Sequence, residues 1–135
     1  MNHRLPLFIS GVLLLIACSC KETNGPGALQ NNSWRVKSIE GSNYLSVATE
    51  VYVLTLGADG SFEIGFEVNE CTGSWVAGPG KALDFGAPGC SKACCDSPYA
   101  DNIKRILDVV DSYQLHSGKL DLIAGDEQIH LTLVR

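Results

Sequence analysis

Apolar and polar side chains alternate along most of this chain in short runs, and glycine, asparagine and aspartate interrupt them at close intervals. Ser61 to Val68 shows the cleanest period of two: Phe62, Ile64, Phe66 and Val68 fall on one side, and Ser61, Glu63, Gly65 and Glu67 on the other. That is the pattern of a strand with one face in a core and one in water. Val51 to Leu56 is nearly all β-branched, aromatic or aliphatic and predicts another strand. The intervening Asp59-Gly60 suits a tight hairpin turn. Trp34 to Glu40 alternates Trp34, Val36 and Ser38 against Arg35, Lys37 and Ile39, and stops at Gly41-Ser42-Asn43. Ser74 to Ala77 and Lys81 to Phe85 flank Gly78-Pro79-Gly80, a second hairpin. Ser112 to His116, Lys119 to Ile123 and Gln128 to Val134 close the chain, joined at Ser117-Gly118 and Gly125-Asp126.

One segment changes period. Tyr99, Ile103, Ile106, Leu107 and Val110 recur at helical spacing within Pro98 to Val110. Ser97 is placed to cap that helix, Pro98 suits its first turn, and Asp101 lies near its positive end. The stripe predicts packing on a sheet. About eight strands and one helix make an α+β, mostly β domain: an antiparallel sheet or barrel plugged or covered by the helix.

The first residues follow another logic. Arg4 precedes an apolar run from Leu5 to Ala17, and Leu15-Ile16-Ala17-Cys18 ends it on small residues and a cysteine. This is the layout of a secretory signal peptide, too short to span a bilayer. It also looks like a bacterial lipoprotein box, so residues 1–17 are expected to be removed and Cys18 lipidated. The alternative is a secreted chain cleaved nearby, with Cys18 and Cys20 free. Acyl chains contribute about 0.8 kcal/mol per buried methylene, so two or three would hold a small domain on a membrane. Residues 18–30, polar and rich in turn formers, read as a tether, which leaves 31–135 as the domain.

Charge narrows the partners. The formal charge is −5, and losing Arg4 with the signal segment makes it −6. No Lys and Arg cluster is gathered, so nucleic acid is not expected. Four cysteines, Cys71, Cys90, Cys94 and Cys95, lie in the domain, and in an oxidising compartment they suggest two disulfides. Adjacent Cα atoms about 3.8 Å apart fall short of the usual disulfide span of about 4.4–6.8 Å. A Cys94–Cys95 bridge is therefore not expected. Two connectivities remain: Cys71–Cys94 with Cys90–Cys95, or Cys71–Cys95 with Cys90–Cys94. Either would staple a strand to the segment entering the helix.

Other chemistry is thinly supported. Thiolates of the same four cysteines, joined by His116 or His130, could hold a metal, but the spacing matches no paired zinc pattern. Cys94-Cys95 before a helix start is compatible with thiol exchange. Asp84, Asp96, Asp101 and Asp108 read as caps and solvated face. No serine elbow, phosphate-cradling loop or carboxylate pair is visible, so no catalytic residue and no cofactor are expected.

The order of motifs resembles the META (HslJ-like) domain family. The resemblance rests on Trp34-Arg35-Val36 with Ile39 and Gly41, Leu54-Thr55-Leu56 followed by Asp59-Gly60-Ser61-Phe62, and Asn69 with Gly73-Ser74-Trp75. Leu83-Asp84-Phe85-Gly86, Val110-Asp111-Ser112-Tyr113 and Lys119-Leu120-Asp121-Leu122 continue it. It covers nearly the whole domain. It departs in one place, because the family's Gly-Cys-Asn has its cysteine where this chain has Val68, and here the cysteine is Cys71. The resemblance implies a partly open barrel with one helix, similar to lipoprotein pilots of type III secretion, in exported lipoproteins tied to stress tolerance, secretion or virulence. The expectation is a non-enzymatic lipoprotein, anchored on the periplasmic side or at the cell surface, that binds an envelope protein or a small apolar ligand. A thiol-redox or metal-binding protein using Cys94 and Cys95 is the alternative.

Overall fold

The computed structural model describes residues 25–135; the signal segment 1–17, Cys18 and Cys20 lie outside the described residues. Ten strands and one α-helix follow in chain order among the described residues. They are β1 (Asn32–Gly41), β2 (Tyr44–Val47), β3 (Val53–Leu56), β4 (Ser61–Gly65), β5 (Glu70–Ala77), β6 (Leu83–Phe85), β7 (Gly89–Cys90), α1 (Pro98–Leu107), β8 (Ser112–His116), β9 (Lys119–Ala124) and β10 (Glu127–Leu133). The sheet runs β6-β5-β4-β3-β1-β10-β9-β8, with β2 added to β1 and β7 to β5. Its two edges meet where Ala82 bridges Ser112 and the Leu83 amide donates to the Asp111 carbonyl at 3.0 Å. The result is a nearly closed antiparallel barrel, with the two extra strands being short ones that carry no clear period.

Cross-strand rows fill the interior. Trp34, Leu54, Ile64 and Cys71 stand opposite one another on β1, β3, β4 and β5, and all are buried. Val36, Leu131 and Leu120 form a second buried row, and Ile39, Ile129, Leu122 and Tyr113 a third. Two details of β1 and β4 correct the alternation. Strict period two places Val36 and Ile39 on opposite faces, yet both are buried, because the β1–β10 register shifts between Val36 and Ser38. One extra residue in a strand turns everything after it over. On β4 the strand stops at Gly65: the Phe66 amide donates to the Asn69 carbonyl at 2.7 Å, and Val68 is 48 % exposed rather than core.

The helix closes one end of the barrel. Its Ser97 hydroxyl accepts from the Ala100 amide at 3.2 Å, and Ala100, Ile103, Ile106 and Leu107 are buried. The helix ends at Leu107, while Val110 is buried beyond it and Tyr99 half-buried. Segment 25–30, read from its composition as part of the tether, is packed instead. Leu29 is fully buried, and Asn32 Nδ2 donates back to the Ala28 carbonyl at 2.7 Å. A single large aliphatic among turn formers anchors it, a signal that average polarity conceals. The chain therefore enters the barrel beside Leu56, where Asn31 donates to its carbonyl, at the end opposite β2 and α1.

Candidate functional site

The helix end of the barrel gathers the residues with chemistry. There β5 carries Cys71 and β7 carries Cys90 directly opposite it, with Cα atoms 4.1 Å apart, and the two are bridged. This pairing overturns both expected connectivities. Strand register gives Cys71 to Cys90, a neighbour that only the folded ladder defines. Cys94 and Cys95 are left as partners for each other, and the structure joins them. Both are exposed, whereas Cys71 is 1 % exposed.

Asn69 organises the segment that carries them. Its side chain is buried and makes four hydrogen bonds across the turn. Nδ2 donates to the Ala93 carbonyl at 2.8 Å and to Asp96 at 2.7 Å; Oδ1 accepts from the Ala93 amide at 2.8 Å and from the Ser91 hydroxyl at 3.0 Å. Ser91 Oγ in turn accepts from the Glu70 amide. Asp96, read from sequence as part of the solvated face, is a buried anchor with its side chain 1 % exposed. It accepts from the Val68 and Asn69 amides at 3.0 and 3.3 Å and from Lys104 Nζ at 2.6 Å. Burial alone would raise its pKa, but the Lys104 ammonium and these donors outweigh burial and hold the carboxyl well below its ordinary range. Nothing in the spacing of Asn69 and Asp96 announced this clamp; an Asp directly before the Ser97-Pro98 cap was its only trace.

Aromatic rings seat the helix start. Tyr52 stacks on Tyr99 at 5.6 Å and meets Phe66 at 5.9 Å, and Lys104 lies over the Phe66 ring at 4.8 Å. Tyr52 donates to Glu67 at 2.5 Å. At the other side of the helix Arg105 clamps Glu127 with bonds of 2.7 and 2.6 Å, and Tyr44 of β2 donates to the same carboxylate at 2.6 Å. Those donors hold Glu127 down to about 2. Tyr99 also donates to the Ser46 carbonyl, so helix, β2 and β10 are tied together.

The histidines stand elsewhere. His130, on β10, bonds Asp121 at 2.7 Å and Glu40 at 2.9 Å; His116 is exposed at the end of β8. In the sheet order β10 is separated from β5 by three strands, so His130 does not meet the cysteines. Among the described residues no group of three or more His, Cys, Asp and Glu side chains is gathered to hold a metal ion, and no helix is long and apolar enough to cross a membrane. An open groove of about 420 Å³ lies on the outer face around Thr55, Ser61, Glu63 and Thr72.

Comparison with known proteins supplies the family. The META domain family matches residues 27–134, nearly all of the described chain. The chain belongs to the META domain family. The match begins two residues before Leu29, in keeping with its burial in this META domain. No curated protein matches the chain in sequence. Solved structures share the fold. A protein from Burkholderia xenovorans, determined by NMR, superposes with a TM-score of 0.68 at 15 % identity, covering 96 % of this chain and 99 % of its own. A DUF4847 family protein from Bacteroides vulgatus gives 0.62 at 15 % identity, covering 78 % and 94 %. At such identities the likeness concerns the META barrel and not its chemistry.

Proposed function

We propose that this chain is an exported lipoprotein, held at a bacterial membrane through lipidated Cys18, whose META domain docks an extended apolar segment of another envelope protein. The observation that supports it most directly is β2. Among the described residues this strand pairs with β1 alone, and Leu45 and Val47, both 64 % exposed, project from it; Val51, four residues further along the chain, is 65 % exposed. An unpaired strand edge offers backbone hydrogen bonds to an incoming strand, and alternate aliphatic side chains give it an apolar surface. Such a patch on a small domain is an interaction signal rather than a packing need. Polarity of the molecule agrees: the chain enters at the opposite end, so a tether to a membrane leaves β2 facing outward.

A protein partner is favoured over a small apolar ligand inside the barrel, because the interior rows are occupied by Trp34, Tyr113, Ile64 and their buried neighbours. Two experiments test the reading. Metabolic labelling with a palmitate analogue should mark the chain and be lost in Cys18→Ser; labelling that persists refutes the anchor. A photo-crosslinking residue at position 45 of the full chain in the intact envelope should give one discrete protein adduct that Val47→Lys abolishes, while position 116 gives none. Equal adducts at both positions, or none at 45, refute docking at β2.

A further inference from the structure

We propose that Cys94–Cys95 is a reversible thiol–disulfide switch, reduced by an external dithiol while Cys71–Cys90 stays closed. The inference goes beyond docking and stands independently of it. A disulfide stabilises chiefly by closing a loop in the unfolded chain, and the effect grows with loop length. Cys71 and Cys90 are 19 residues apart and close such a loop; Cys94 and Cys95 are neighbours and close none. Nor is the adjacent bridge needed to hold its segment. Ala93 on one side is bound through both its amide and its carbonyl to Asn69, and Asp96 on the other to Val68, Asn69 and Lys104. The bridge therefore closes no long loop and lies in a segment already held on both sides.

The surroundings suit exchange. Both cysteines are exposed and open to a colliding thiol, while Cys71 is buried. Cys95 lies two residues ahead of Ser97, the cap of a ten-residue helix, where the peptide dipoles favour a thiolate. Asp96, which lies between Cys95 and Ser97 in the chain, has its side chain buried and paired with Lys104, and Glu67 at the helix start accepts from Tyr52 and the Ser97 amide. In the step, a thiolate of the dithiol attacks one sulfur of the pair and the Cys94–Cys95 bond breaks. The released sulfur leaves as a thiolate and takes a proton from water. The second thiol of the reductant then attacks the mixed disulfide, freeing the other cysteine. Two electrons and two protons pass to the pair, and the reductant becomes a disulfide.

The test uses the full oxidised chain, dithiothreitol as the dithiol, and alkylation of quenched samples mapped by peptide mass spectrometry. Cys94 and Cys95 should be alkylated about tenfold or more faster than Cys71 and Cys90, and oxidised glutathione should restore protection. The Cys94→Ser/Cys95→Ser variant should melt within about 2 °C of the parent, as expected for a bridge with no loop to close. The proposal is overturned if all four cysteines reduce together, if Cys71 and Cys90 open first, or if mapping of the untreated chain finds Cys94 or Cys95 free or bridged elsewhere. A double variant that melts far lower also overturns it, since the pair would then be a staple.

Discussion

Replacing Asn69 by alanine should loosen the cysteine segment, because it removes the side chain that ties Ser91, Ala93 and Asp96 together. The side chain makes four hydrogen bonds, two of them to the Ala93 backbone and one to the buried Asp96 carboxylate. At about 0.5–1.5 kcal/mol net for each, with a discount because water can reach the loop at Cys94 and Cys95, the loss is about 2–3 kcal/mol. With a urea slope of about 1–1.5 kcal/mol/M for a domain of this size, the unfolding midpoint should fall by about 2 M. The slope itself should not change, since the unfolded surface is the same. Asn69→Asp is the sharper control: it preserves size but removes both donors and sets a second negative charge against Asp96. It should be at least as costly as alanine. A midpoint shift under about 0.5 M for alanine, or an aspartate variant milder than alanine, refutes the view that Asn69 is the clamp.

Four further outcomes are expected. Cys71→Ser/Cys90→Ser should lower stability by about 2–4 kcal/mol in urea unfolding, in keeping with the loop it opens; an unchanged midpoint contradicts the Cys71–Cys90 pairing. His130 is partly buried, which lowers its pKa, but bonds to Asp121 and Glu40 more than offset this and leave it raised above 6.5. Its folded pKa exceeds the unfolded one, so its stabilisation is full below about pH 6.5 and disappears as pH rises through the folded value. Melting followed across that window should decline more for the parent than for His130→Gln; parallel curves refute it. Glu127 has the opposite sign: held down to about 2 by Arg105 and Tyr44, it stabilises above its unfolded pKa and loses that contribution as pH falls. Acid unfolding of Glu127→Gln should therefore show a shallower fall with pH. Deleting Lys37 removes the extra residue of the β1 bulge and leaves Trp34, Val36 and Ile39 in strict alternation on one face, so the variant should keep a cooperative melt; loss of the cooperative transition refutes the bulge.

Local physics made much of this domain readable. Ser97, Pro98 and the apolar stripe from Ile103 to Leu107 identify the helix because capping and period are properties of neighbours in the chain. The hairpin at Gly60, with φ +81°, and the turn at Ser117-Gly118, with φ of 49° and 76°, were legible because such angles demand particular residues. Strand β2 leaves no mark in the sequence because Tyr44-Leu45-Ser46-Val47 has no buried face to write a pattern, its side chains being mostly exposed. Asp96 looks like a surface cap in the sequence because an aspartate near a helix start usually is one, and its amide, asparagine and lysine donors come from other parts of the fold.

Alternation, turn chemistry and the order of motifs determined by themselves that this is a mostly β META barrel with one helix, since each depends on residues close in sequence. Which sulfur meets which, where the β1 bulge turns Ile39 back to the core, and how Asn69 and Asp96 hold an exposed Cys94–Cys95 pair were decided by the tertiary structure alone. Those outcomes depend on strand register and on groups more than 20 residues apart, such as Asn69 with Ala93 and Asp96. Backbone pairing across the sheet sets them, and it leaves no period in the chain.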